Sequence, residues 1–193
     1  LFKVTPEQYR EKADPFRLLY KDQFSPHMLH HLQHRLAMEP EIVTRSEAKV
    51  IGIARQYREE DLNIETLWSA FRPNVDQITN RVGRDAFGIY EECHEGEDGL
   101  GFSYICSVEV TDFDDIPEGM ITRTIPEHLY AAFRHKGPLS YLPETLKYIW
   151  GSWLPKSNYE YVEKPDFELY APGAESEGSD KILFLYIPVT RKS

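Results

Sequence analysis

Apolar residues along the chain fall into two alternating periods. A short apolar run, Val50-Ile51-Gly52-Ile53-Ala54, reads as a buried strand. After it, Ile64, Leu67, Trp68 and Phe71 recur at i, i+3, i+4 and i+7, one face of a helix. Asn63 is placed to cap that helix and Pro73 to stop or kink it. Two strands follow near residues 86–91 and 102–110, joined by a Gly- and acid-rich loop. The same order then returns. Leu129-Tyr130-Ala131-Ala132-Phe133 reads as a strand, and Leu146, Ile149, Trp150 and Trp153 carry helical spacing between Pro143 and Pro155. Strands at residues 166–170 and 182–189 close the second series, separated by Gly173, Glu175, Glu177, Gly178 and Asp180.

Short matches support a repeat. Thr44-Arg45-Ser46 is echoed by Thr122-Arg123-Thr124 at an offset of 78, and Glu65-Thr66-Leu67 by Glu144-Thr145-Leu146 at 79. Phe87-Gly88-Ile89-Tyr90 returns as Phe167-Glu168-Leu169-Tyr170 at 80. The expected fold is therefore α+β. It is a tandem duplication of a strand-helix-strand-strand module, with copies at about 41–112 and 119–190. One module leaves its single helix and half-sheet under-buried, so two together predict a curved antiparallel sheet carrying two long helices with pseudo-two-fold symmetry. Residues 41–193 form this domain, and residues 1–40 are set apart as a helical linker.

Charge narrows the function. The 193 residues carry 22 Lys plus Arg against 32 Asp plus Glu, a formal net charge of −10. Such a surface repels a phosphate backbone, which argues against a broad basic face for DNA among these residues. The acid excess lies mainly in the repeat: residues 85–122 hold eleven acids and no Lys or Arg, a pattern of solvated loop faces. No apolar run is long enough for a membrane span, and two Cys suit a reducing cytoplasm. In the linker, His27, His30, His31 and His34 share one helical face. They could hold a divalent ion, but no carboxylate or Cys completes the set, so the polar face of a linker helix is preferred. Neither a metal nor a cofactor is expected.

Particular segments carry a resemblance. They are residues 130–138 (Tyr-Ala-Ala-Phe-Arg-His-Lys-Gly-Pro), Thr145 through Trp153-Leu154-Pro155, Pro165-Asp166-Phe167-Glu168-Leu169-Tyr170, and Ile187-Pro188-Val189. Phe87-Gly88-Ile89 and Tyr104 through Glu109-Val110 match the front half. Over about 150 residues the chain resembles the GyrI-like effector-binding domain of AraC-type and MerR-type regulators. Phe2-Lys3-Val4-Thr5-Pro6-Glu7-Gln8-Tyr9-Arg10, after a first residue that is Leu rather than Met, is similar to the end of an AraC-type helix-turn-helix domain. The resemblance implies a cytoplasmic regulator whose DNA-reading helices lie upstream, with a small organic effector as ligand, DNA bound only through that upstream part, and a homodimer as an open option.

The candidate site centres on Glu168. Strand alternation sets Glu168 and Tyr170 on one face, Phe167 and Leu169 on the other. By residue type alone the Glu is an exposed or Arg-paired strand residue, or a buried acid whose pKa is raised. The resemblance implies the last, as the ligand carboxylate of multidrug-sensing members. Aromatic neighbours suit cationic, planar or amphipathic molecules. The candidate lining is Tyr90, Tyr104, Trp150, Tyr170, Phe184 and Tyr186. Gly88 stands where the first copy would carry a second acid. Two alternatives stay open: a GyrI-like hydrolase of strained cyclopropanoid compounds, with Glu168 as base and Tyr186 as acid or orienting donor, and a gyrase-inhibitor-like protein-binding module. Binding ranks above catalysis.

Overall fold

The course of the sheet is dictated by two very short links. A computed structural model describes residues 38–58, 63–92, 101–135, 137–172 and 183–192. The strands are β1 (Glu41–Arg45), β2 (Ala48–Arg58), β3 (Arg81–Glu92), β4 (Gly101–Val110), β5 (Ile121–Ile125), β6 (His128–His135), β7 (Tyr159–Tyr161), β8 (Asp166–Tyr170) and β9 (Leu183–Arg191). They form one antiparallel sheet in the order β1-β6-β9-β8-β3-β4-β2-β5, with β7 paired to β9. β1 and β2 are six positions apart in this order, yet only Ser46 and Glu47 join them. β5 and β6 are likewise six apart and joined by Pro126 and Glu127. Six strand spacings of a flat sheet measure about 29 Å, whereas three chain steps reach at most about 11 Å. The sheet must curl until its two edges approach each other.

Exchanging β1 with β5, β2 with β6, β3 with β8 and β4 with β9 returns the same strand order read backwards. The pseudo-axis falls between the central neighbours β3 and β8, where Gly88 and Glu168 are paired across the ladder.

Two helical stretches pack on the outer face of the curl. The first, α1 (Ile64–Phe71), starts at Asn63, whose side-chain oxygen accepts from the Thr66 N–H at 3.2 Å. Its apolar stripe buries Leu67, Trp68 and Phe71. Pro73 does not end the path; it tightens it into a 3-10 stretch, Arg72–Gln77. Replacing Asn63 by Ala should cost about 1 kcal/mol of unfolding free energy; a denaturant midpoint unchanged from wild type would show that the cap carries no weight.

The second stretch is α2 (Leu142–Tyr148), a π-helical turn (Ile149–Trp153) and α3 (Leu154–Lys156). Here the Leu154 N–H reaches back to the Ile149 carbonyl. That wide turn makes room for the ring of Pro155, which would strike the carbonyl four residues back in a regular helix. The helix therefore runs just past Pro155 instead of ending there. Beneath it, the buried His135 ties β6 to α2. Its Nδ1 lies 2.9 Å from the Thr145 hydroxyl, and its Nε2 lies 3.1 Å from the Pro138 carbonyl.

The outer-face core has one cluster under each helix, including Trp68, Phe71, Tyr104 and Tyr170 under α1, and Phe133, Ile149 and Trp153 under α2. The inner face holds a third, including Phe87, Ile89, Ile105, Tyr130 and Phe167. These inner residues are 0–2% exposed because the curl closes over them. β1, β5 and β7 were not foreseen as strands. The His27–His34 group and residues 1–37 as a whole lie outside the described residues. Among the described residues, no helix is long and apolar enough to cross a membrane, and no group of three or more His, Cys, Asp or Glu could hold a metal.

Candidate functional site

Glu168 sits in the middle of the central strand pair, 2% exposed, facing the helix side of the sheet. Three tyrosines converge on it. Tyr104 on β4 donates to Oε2 at 2.6 Å, Tyr170 on β8 donates to the same oxygen at 2.5 Å, and Tyr90 on β3 donates to Oε1 at 3.0 Å. Their convergence follows from register. Tyr90 and Tyr104 are cross-strand partners, and Tyr170 lies two residues from Glu168, so all four side chains leave the same face.

Gly88 makes this geometry possible. It lies opposite Glu168, and a Cβ there would come within 1.9 Å of the Tyr104 hydroxyl oxygen and 2.9 Å of Glu168 Oε2. A side chain at this position would occupy the space through which Tyr104 reaches the carboxylate. The strand pairing also puts Cys106 beside Gly88, fully buried, with burial pushing its thiol up.

Burial raises the pKa of Glu168, and the three phenol hydrogen bonds pull it part of the way back. The same burial, reinforced by the adjacent carboxylate, holds Tyr90, Tyr104 and Tyr170 well above the usual tyrosine value. They stay protonated and donate. Among the described residues no Lys or Arg pairs with Glu168, so the acid is neither exposed nor paired with an Arg, the two alternatives its residue type left open. Trp68 of α1 packs beside the group, its ring edge-on to Tyr170 with centroids 5.1 Å apart. Tyr90 packs edge-on against Tyr104 at 4.8 Å. A carboxylate walled by aromatic rings and lacking a cation is chemically suited to accept one.

Of the residues expected around Glu168, Tyr90, Tyr104 and Tyr170 are brought to it; three others are not. Phe184 and Tyr186 leave β9 on the opposite sheet face, because Glu168 pairs with Leu185 and the neighbours of Leu185 necessarily point away. Tyr186 instead stacks on Phe167 at 4.7 Å. The acid–base pair Glu168–Tyr186 imagined for a hydrolase is thus separated by the sheet. Trp150 packs edge-on against Tyr161 at 5.2 Å, within the α2 cluster rather than against Glu168. Conversely, Trp68 and Gly88 belong to the site although neither was a candidate. The sequence signal for Trp68 was its place in the helical stripe of α1, which also predicts ordinary packing.

Comparison with known proteins agrees with this architecture. BrlR, a transcriptional regulator of Pseudomonas aeruginosa, is 29% identical over 134 residues, covering 69% of this chain and 48% of BrlR. The chain therefore spans about half the length of that curated relative. Among solved structures, SAV2435 bound to tetraphenylphosphonium superposes with a TM-score of 0.64 at 20% identity, covering 79% of this chain and 94% of its own. A bacterial transcription regulation protein from Staphylococcus aureus gives 0.59 at 20%, covering 81% and 100%. EcmrR, in a complex with DNA, gives 0.62 at 17% identity, covering 86% and 64%. These likenesses concern the fold. The family model described as the GyrI-like small molecule binding domain matches residues 38–190, and the chain belongs to that family.

Proposed function

We propose that this chain is the effector-binding part of a cytoplasmic transcription regulator of the AraC type, and that Glu168 is the counter-ion for a cationic, planar or amphipathic organic effector. The observation that carries this reading is a carboxylate 2% exposed, held by three phenols and without a cationic partner among the described residues. Leaving a charge in such surroundings is costly, and an incoming cation recovers that cost as binding energy. The ring faces of Tyr90, Tyr104, Tyr170 and Trp68 add cation–π attraction.

Three relatives support it: one is named a transcriptional regulator, one is bound to tetraphenylphosphonium and one is in complex with DNA. DNA contact belongs, in this reading, to a separate domain, in keeping with the net charge of −10. The signal is a population shift. The effector favours one arrangement of the two parts by its differential affinity for it, and without such a difference nothing is transmitted.

Because Glu168 is covered, an effector reaches it only by displacing aromatic side chains, Trp68 first among them. Titration with tetraphenylphosphonium should give a saturable change in tryptophan emission that disappears in Trp68→Phe. Triphenylphosphine oxide, similar in shape but neutral, should bind at least about tenfold more weakly. Equal affinity for the two compounds would contradict the counter-ion role.

A further inference from the structure

A second polar cluster occupies the inner face of the curled sheet, across one layer of backbone from Glu168. Arg45 at the end of β1 is the register partner of His128 at the start of β6, and Tyr130 lies two residues further along the same face. The His128 and Tyr130 rings meet edge-on at 6.0 Å. The Arg45 guanidinium carbon lies 5.1 Å from the ring centre of Phe87, and 5.4 Å from those of Phe167 and Tyr186. An edge-strand residue touches rings on β3, β8 and β9 at once because the sheet curls.

Each of the three polar residues carries a buried atom with no hydrogen-bond partner among the described residues: Arg45 Nε, His128 Nε2 and Tyr130 Oη. Tyr130 is 0% exposed. A buried polar atom without a partner costs about 1–3 kcal/mol, and structures carry few of them. Three in one patch therefore call for an explanation. Burial pushes Tyr130 up to about 12 while the Arg45 charge pulls it down, so the two groups sense each other electrostatically. The other charges nearby are Glu109, 3.5 Å from an Arg45 terminal nitrogen, Asp166, which acts on Tyr130, and Lys164, which acts on His128. At 3.5 Å the Glu109 contact is long for a charge-assisted bond.

The shared chemistry is one of donors. A guanidinium N–H, a phenol O–H and an imidazole N–H all fit an oxygen acceptor, and the guanidinium favours a charged one. The surroundings are aromatic, and Tyr186, Phe184 and Leu169 are half-buried on this face, leaving ring and apolar surface accessible. We propose that Arg45, His128 and Tyr130 form a second ligand site, which binds the carboxylate of a small aromatic acid on the sheet face opposite Glu168. The carboxylate accepts from all three donors and takes Arg45 over from Glu109, while the ring of the acid lies along Tyr186. The site is independent of the cation reading for Glu168, since the two sets of side chains leave opposite faces.

The test is calorimetric titration of the whole chain with benzoate. Saturable binding is expected, weakened about tenfold by Tyr130→Phe, which removes a hydrogen bond to a charged acceptor but keeps the ring. Arg45→Gln should abolish it, and Glu168→Gln should leave it within about twofold of wild type; benzyl alcohol, which lacks the charge, should not compete. Absence of saturable benzoate binding, unchanged affinity in Tyr130→Phe, or loss of binding in Glu168→Gln would overturn the proposal. Tyr130→Phe decides the matter even if Arg45→Gln fails to fold.

Discussion

Replacing Glu168 by Gln should weaken tetraphenylphosphonium binding at least about 30-fold, roughly 2 kcal/mol, the lower end for removing one partner of a desolvated charge pair. Neutral ligands of similar shape should change little, because Gln keeps the volume and an oxygen that can accept from Tyr104 and Tyr170, while the Tyr90 hydroxyl can turn to accept from the amide N–H. The same substitution should alter stability in a pH-dependent way. Burial raises the Glu168 pKa above its unfolded value. Folding therefore binds the proton more tightly than the unfolded chain does. The stability this contributes is complete below the unfolded pKa and is lost as pH rises through the folded one. Wild type should thus lose ground to Glu168→Gln as pH increases, and melting temperatures of both proteins between pH 4 and 8 would reveal the trend. A difference in melting temperature that stays constant across that range would place the ionisation elsewhere.

Ala at Gly88 should be as damaging as Ala at Gly151 is harmless. At Gly88 the new methyl meets the Tyr104 hydroxyl oxygen at 1.9 Å and its ring carbon at 2.7 Å, and Tyr104 is 0% exposed. Overpacking of this kind costs about 1–3 kcal/mol. The cheapest relief swings Tyr104 away, so the Glu168 hydrogen bond at 2.6 Å is lost as well. Gly88→Ala should lower both stability and cation affinity. At Gly151 nothing lies within 4 Å of an added Cβ, and the residue is helical. There Ala should be neutral or stabilise by up to about 1 kcal/mol. Chemical denaturation of the two variants compares them directly; similar unfolding free energies would mean that Tyr104 is not wedged against Gly88.

The strand carrying Glu168 was legible because the apolar Phe167 and Leu169 alternate with Glu168 and Tyr170 as a two-residue period requires, although burial itself does not alternate, Glu168 being as buried as Phe167. The α1 stripe and its Asn63 cap were legible for the same kind of reason: local chemistry decides them. Tyr90, Tyr104 and Tyr170 could be chosen because they are aromatic residues on the expected strands, able to line a pocket around Glu168. What local pattern cannot carry is register. Alternation along β9 separates Phe184 and Tyr186 from Leu183 and Leu185, but only the pairing of Glu168 with Leu185 says which set shares a face with the carboxylate. A slip of one residue would have put Tyr186 where it was expected. β1 and β5 escaped notice because a five-residue edge strand has too few periodic positions to stand out. Trp68 was hidden by a sufficient simpler explanation, core packing. Gly88 read as a missing acid; in the folded chain it supplies the space that a second side chain would take.

The central claim is that the Glu168 carboxylate itself balances a bound cation. The affinity of tetraphenylphosphonium, a ligand with no ionisable proton, measured across pH 4.5 to 8 in wild type and Glu168→Gln tests it most directly. Binding a positive charge favours the ionised acid, so in wild type affinity should fall as pH drops through the raised Glu168 pKa, with a proton released on binding in that range. In Glu168→Gln the pH dependence should vanish and affinity should stay low throughout. An identical pH profile in the two proteins, or affinity unaffected by the substitution, would contradict the account.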